Sequence, residues 1–171
     1  MPVFSADGLI DDPWVTIADG ESPTGNAPTI VSWEQVRSAS QNVLDKIERC
    51  GIVVASDIDP TALIPYVTKL NLIVVQSVSF KDGRMFSAGW LIRHRYGFKN
   101  ELRLQGDVIP DQIPFLVSCG YTSFSVNTAF DIPTALGLLK TIPLSYQSGR
   151  SKRDIMSLRH SSLLADASGS R

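Results

Sequence analysis

From residue 51 onward, apolar positions gather in short continuous runs set apart by longer stretches of mixed polarity. Gly51–Ser56 (GIVVAS), Leu72–Ser77 (LIVVQS), Asn100–Gln105 (NELRLQ) and Thr122–Val126 read as strands, because short apolar runs bounded by turn residues suit strands buried in a sheet. Between them the pattern predicts helices from Asp59-Pro60 to Leu70, from Arg84 to Tyr96, over Pro110–Cys119 and over Thr134–Lys140. Asp before Pro supplies an N-cap and a pre-set first helical residue, and Gly97 and Gly120 stop their helices. Thr141–Gln147 reads as a fifth strand, which Pro143 places at an edge, and the polar run Asn100–Gln105 suggests a strand near an edge too.

Strands alternating with helices predict an α/β fold built on a mostly parallel βα-repeat sheet. About five strands are too few for a closed eight-stranded barrel, which leaves an open sheet or a partial barrel, a TIM-like half barrel. The first fifty residues read as an irregular N-terminal segment rich in turn residues (Asp19-Gly20, Pro23, Gly25, Asn26, Pro28), with short strands at Trp14–Ile17 and Thr29–Val31. A helix packed on the domain starts at Ser32 and carries Trp33, Val36, Val43, Leu44 and Ile47 at helical spacing up to Cys50-Gly51. The expected organisation is thus residues 1–50 as this segment, 51–147 as the βα-repeat core, and 148–171 as a mobile basic tail.

Composition narrows the function. The chain has 171 residues, 43% hydrophobic and 19% charged, enough for one domain with a real core and too apolar for a disordered chain. Sixteen basic residues against 17 acidic ones give no global attraction to nucleic acid or an anionic membrane. Two cysteines (Cys50, Cys119) and two histidines (His94, His160) exclude a disulfide framework and leave little for a metal cluster. The start resembles no signal peptide and no apolar run spans a bilayer, so a cytoplasmic protein is expected. No nucleotide, flavin or haem motif is present, and no cofactor or metal is expected.

In parallel sheets ligands collect where strand C-termini meet helix N-termini. The loop FKDGRMFS (Phe80–Ser87) joins Lys81, Asp82, Gly83, Arg84 and Ser87, a set suited to a small oxyanion such as phosphate, sulfate or sulfite. After the next strand, Gly106 allows a sharp turn, Asp107 is a candidate base, and Asp111 and Gln112 open a helix. Each also has a plain structural role as cap or turn residue. Arg84 and Arg93 lie on opposite sides of one helix and do not clamp one anion; His94 and Arg95 suit a solvated face, and both cysteines suit the core. Glu101 and Arg103, two apart on a strand, share a face and can pair.

The stretches FKDGRMFSAGWLIRHRYGF and ELRLQGDVIPDQIPFLVSCGYTSF, with the early LIDDPWV, resemble the bacterial family called domain of unknown function 934. The resemblance runs over nearly all of Leu9–Gln147. It implies an accessory role beside assimilatory sulfite reductase, in the cytoplasm. Asp82, Gly83, Arg84, Ser87, Arg93, Gly106, Asp107, Asp111 and Gln112 match positions typical of the family. The chain has Gly89-Trp90 where the family often has Ala-Arg, and Thr122 where it often has Asp. Three functions are therefore expected in turn. The first is an accessory protein of sulfite reduction that binds the reductase, its substrate or its cofactor. The second is an enzyme for a small oxyanion or phosphate ligand, with Asp107 and Arg84 catalytic and Lys81, Asp82, Gly83, Ser87, Arg93, Gly106, Asp111 and Gln112 binding. The third is a non-catalytic interaction module. A homodimer completing the sheet or barrel is a further expectation; nucleic acid and membrane are not expected partners.

Overall fold

A computed structural model describes residues 1–18, 27–38, 44 and 47–141. The strands are β1 (Val3–Ser5), β2 (Gly8–Ile10), β3 (Val15–Thr16), β4 (Thr29–Ser32), β5 (Cys50–Ala55), β6 (Leu72–Ser77), β7 (Glu101–Gly106) and β8 (Ser123–Ser125). They form one eight-stranded sheet in the order β2-β1-β8-β7-β6-β5-β4-β3, curled as a half barrel. From β3 to β8 neighbours in sequence are neighbours in space and run parallel. Such an order, with no reversal, comes from crossovers that all turn the same way.

The expected mostly parallel α/β sheet is present, with an antiparallel addition that the pattern did not announce. Residues 1–10 form a hairpin whose β1 pairs antiparallel with β2 and with β8. Strands of three residues are too short to show alternation. What anchors the hairpin is Phe4, fully buried and stacked 5.2 Å from Phe124 and 5.6 Å from Phe130.

Most helices are shorter or more divided than their periodicity suggests, and the last is longer than the expected Thr134–Lys140. After Ser32, which exchanges capping bonds with Gln35, α1 runs over Trp33–Ser38; residues 39–43, 45 and 46 of the expected helix lie outside the described residues. Pro60–Tyr66 is a 3-10 helix, not an α-helix to Leu70, because Pro65 inside it removes a donor. The helix from Arg84 divides into α2 (Arg84–Trp90) and a π turn (Leu91–Arg95). Pro110–Gln112 is a 3-10 turn, and α3 (Ile113–Ser118) starts after it with Pro114 in its first turn. The last described helix, α4, covers Ile132–Thr141. Thr141 is therefore helical, and the rest of the expected fifth strand, 142–147, lies outside the described residues, as does the tail 148–171.

The sheet has two unlike faces. Val31, Ile52, Val54, Ile73, Val75, Leu102, Leu104 and Phe124 pack under the helices and form the main core with Leu63, Met85, Ile92 and Leu116. On the opposite face, among the described residues, Ile30, Leu72 and Val74 form a small apolar cluster with Trp14 and Val53 packed against it. Beside that cluster the same face turns polar. Arg103, 4% exposed, is gripped by both carboxylate oxygens of Asp12 at 2.8 and 3.0 Å and by Glu101 at 2.9 Å. Ser123 Oγ donates to the same Glu101 oxygen at 2.6 Å. So Glu101 and Arg103 do pair on one face, but β7 is central, between β6 and β8. Its polarity reflects a buried ion cluster, not an edge.

Gly89 shows why the outer layer needs a glycine there. A Cβ at this position would lie 2.4 Å from the Tyr121 ring, whose hydroxyl donates to the Met85 carbonyl at 2.7 Å. Both cysteines are buried, and burial pushes the Cys50 thiol up to about 11. Among the described residues no helix is long and apolar enough to cross a membrane.

Candidate functional site

The loops after β5, β6 and β7 meet at the C-terminal edge of the sheet, where the sequence concentrates its polar residues. Asp82 is the hub of the first cluster. It accepts from the Arg84 backbone N–H at 3.1 Å, from Arg84 Nε at 2.9 Å and Nη2 at 3.1 Å, and from Ser56 Oγ at 2.5 Å. Asp57 reaches Arg84 Nη1 from the other side at 3.9 Å. The Arg84 guanidinium, with help from Ser56, holds the Asp82 carboxyl well below the usual carboxylate range, and Asp82 raises Arg84 in return.

A second cluster braces the Phe80 loop. Asp107 accepts the Phe80 backbone N–H at 3.2 Å, while Gln112 donates to the Phe80 carbonyl at 2.7 Å and accepts from the Ile109 N–H at 3.3 Å. The sharp turn into Asp107 depends on Gly106, with φ +122° and its backbone tight against Ser77. The candidate base thus spends one oxygen on a structural hydrogen bond, and the candidate anion ligand Arg84 is neutralised by its neighbours. Lys81 is exposed, with its ammonium 5.7 Å from the Phe80 ring. Gly83 is exposed, and a Cβ there would meet nothing within 4 Å. Asp111 is exposed in the first turn after Ile109.

Lys81, Asp82, Gly83, Arg84, Gly106, Asp107, Asp111 and Gln112 therefore gather on one edge. Ser87 and Arg93 do not. Ser87 faces a groove on the outer layer lined by Phe86, Trp90, Leu91, Phe115 and Cys119. Arg93 Nε donates to the Gly120 carbonyl at 2.9 Å, its Nη1 donates to the Phe98 carbonyl, and its guanidinium rests on the Phe98 ring. Burial lowers its pKa, and among the described residues its Nη2 is buried without a hydrogen-bond partner. Arg93 ties the helix end to the start of β8; it does not face the strand-end loops.

Sequence reasoning missed the neighbouring cleft of about 370 Å³, lined by Ser32, Trp33, Glu34, Arg37, Asp57 and Gln76 among others. Glu34 and Arg37 pair at 3.5 Å on its rim. No local signal marks it, because its walls come from α1, β5 and β6, which only the fold brings together. Among the described residues no group of three or more His, Cys, Asp or Glu is arranged to hold a metal ion.

The motif residues that build both clusters lie inside a single family match. Residues 51–156 match the family described as "Bacterial protein of unknown function (DUF934)". The chain belongs to this family. The DUF934 match starts after β4 and runs past Gln147 into residues 148–156, so it covers less of the N-terminus and more of the tail than Leu9–Gln147. The comparison with curated proteins gives no match.

Asp82 makes a pH prediction. A carboxyl whose folded pKa is depressed stabilises the fold above the ordinary carboxylate range, near ~4, and loses that contribution as pH falls through its folded pKa. Asp59 and Asp131 are depressed as well, by hydrogen bonds from Thr61 and Thr134. The melting temperature is expected to hold above about pH 5 and fall below about pH 4. Asp82→Asn should lower it at pH 7 and flatten the acid slope. Thermal unfolding from pH 3 to 7 checks this; parallel slopes for both proteins would remove Asp82 from the account.

Proposed function

We propose that this DUF934 protein is a cytoplasmic accessory of assimilatory sulfite reduction, acting by binding the reductase rather than by carrying the redox step. The family resemblance supplies the pathway. The observation that supports binding is the way the motif residues are used: Asp107 and Gln112 hold the Phe80 backbone, and Asp82 holds Arg84. Hydrogen bonds spent inward make a rigid, pre-shaped edge, and rigidity lowers the ordering cost of association. On this reading the electrons and any metal or cofactor belong to the reductase. We take the sequential parallel order as a TIM-like half barrel, which a second copy would complete.

Deletion of the gene is expected to prevent growth on sulfate and on sulfite while leaving growth on sulfide intact. Normal growth on sulfate would sink the reading. A second reading, an enzyme or binding protein for a small oxyanion, rests on the 370 Å³ cleft and its Arg37. Calorimetric titration with sulfite, sulfate and phosphate tests it: saturable binding lost in Arg37→Gln would favour it over the accessory reading.

A further inference from the structure

The strand-end edge carries exposed apolar side chains that the fold itself does not use. Val78 is 83% exposed, and Phe80 and Ile109 are each 38% exposed. They are not on a floppy tip. Phe80 is held through both its N–H and its carbonyl, and Gln112 links it to Ile109. Ser77 Oγ, buried just before Val78, donates to the Ser79 carbonyl at 3.1 Å and so fixes the turn. A single exposed hydrophobe on a protein surface means little, but three on adjacent braced loops of one rim are a candidate contact surface.

Charge says what kind of surface it meets. Asp107 and Asp111 are exposed beside the apolar group with Lys81, while Asp57 and Asp82 both face Arg84, so the acids of this edge outnumber its bases. Arg84, already paired with Asp82, adds little outward positive charge. An apolar centre with an acidic rim selects a partner with an apolar anchor surrounded by Lys or Arg. The same rim repels phosphate and anionic lipid headgroups.

We propose that Val78, Phe80 and Ile109 form a docking surface for a protein whose contact patch sets an apolar side chain among basic ones. The proposal rests on the reading of this edge as a binding platform, not on the pathway it serves. It is tested in the full-length chain with the photo-cross-linking residue benzoylphenylalanine in place of Val78, irradiated in growing cells. The expected adduct is with a different protein, through a peptide bearing Lys or Arg around an apolar residue. With that protein purified, Val78→Lys and Ile109→Lys should each weaken binding at least tenfold, Thr68→Lys at the opposite end of the sheet should not, and added salt should weaken the wild-type complex. Circular dichroism and melting temperature confirm that the exposed substitutions leave the fold intact.

No adduct, an adduct with a second copy of this chain, a contact peptide lacking basic residues, or binding indifferent to Val78→Lys and Ile109→Lys would each overturn the proposal. Normal growth of a deletion strain on sulfate ends the sulfur reading and leaves the docking surface standing. Where the gene is required, full complementation by Val78→Lys and Ile109→Lys ends the docking claim instead.

Discussion

Replacing Arg103 with Met is expected to destabilise the fold by about 3–5 kcal/mol, the range for removing one partner of a buried ion pair. Arg103 is 4% exposed and takes both oxygens of Asp12 and one of Glu101. Burial alone would lower its pKa, but the hydrogen bonds it donates to Asp12 and Glu101 outweigh that and raise it. Without the guanidinium, two carboxylates face each other on a partly dry surface. The Asp12 turn then loses its side-chain anchor on the sheet, while Trp14 and the β3 ladder still hold the residues that follow it. Denaturant unfolding measures the loss, and a fall in midpoint without a fall in slope would mark it as native-state energy. The double variant Asp12→Asn/Arg103→Met should recover part of the loss, because it removes a stranded charge with its partner. A single-variant loss under ~1 kcal/mol would reduce the cluster to the level of a surface pair.

The parallel core was legible because its strands are continuous apolar runs. GIVVAS and LIVVQS became β5 and β6 nearly residue for residue. They are buried on both faces, so the run needs no alternation to be recognised. β7 shows where that logic stops. NELRLQ was recognised as a strand, but its polarity misplaced it to an edge, since Asp12 is 91 positions from Arg103 and no local pattern joins them. The N-terminal hairpin stayed hidden for the same reason: Phe4 finds Phe124 only after the sheet exists. Prolines explain the helices that shortened. Pro65 and Pro114 lie inside apolar periodicity that by itself asks for a longer α-helix.

At the site, the edge was legible but its wiring was not. Motif residues from two loops were assigned to one face, and eight of the ten candidates do meet there, while Ser87 and Arg93 project onto the outer layer. A sequence cannot tell a carboxylate that serves a ligand from one that serves a loop. Asp107 was read as a base because it follows a strand; its bond to Phe80 crosses 27 residues of chain. In this chain Gly89 packs against Tyr121, whose ring occupies the space a Cβ would need; nothing in the structure explains why the family often has Ala there.

Gly106→Ala is expected to couple fold and site most directly. Gly106 has φ +122°, where an L side chain is strained, and a Cβ there would lie 2.1 Å from the Ser77 carbonyl oxygen. That oxygen is backbone, so no rotamer relieves the clash. Either β6 and β7 part at their C-terminal ends or the turn rebuilds, and strain of ~1–3 kcal/mol plus the lost contacts makes about 3 kcal/mol a fair expectation. The damage should be directional. Asp107 N–H faces Ser77 O at 3.4 Å and Asp107 Oδ2 holds Phe80 N–H at 3.2 Å, so a displaced Asp107 frees the Phe80 loop. Amide hydrogen exchange should accelerate at Phe80 and Asp107 before it does in β5, whose ladder is remote from the turn. Asp107→Asn can keep the Phe80 bond through its amide oxygen, so it should leave Phe80 exchange near wild type. Uniform acceleration across the sheet in Gly106→Ala would mean that the glycine serves global stability alone, without any special hold on the Phe80 loop.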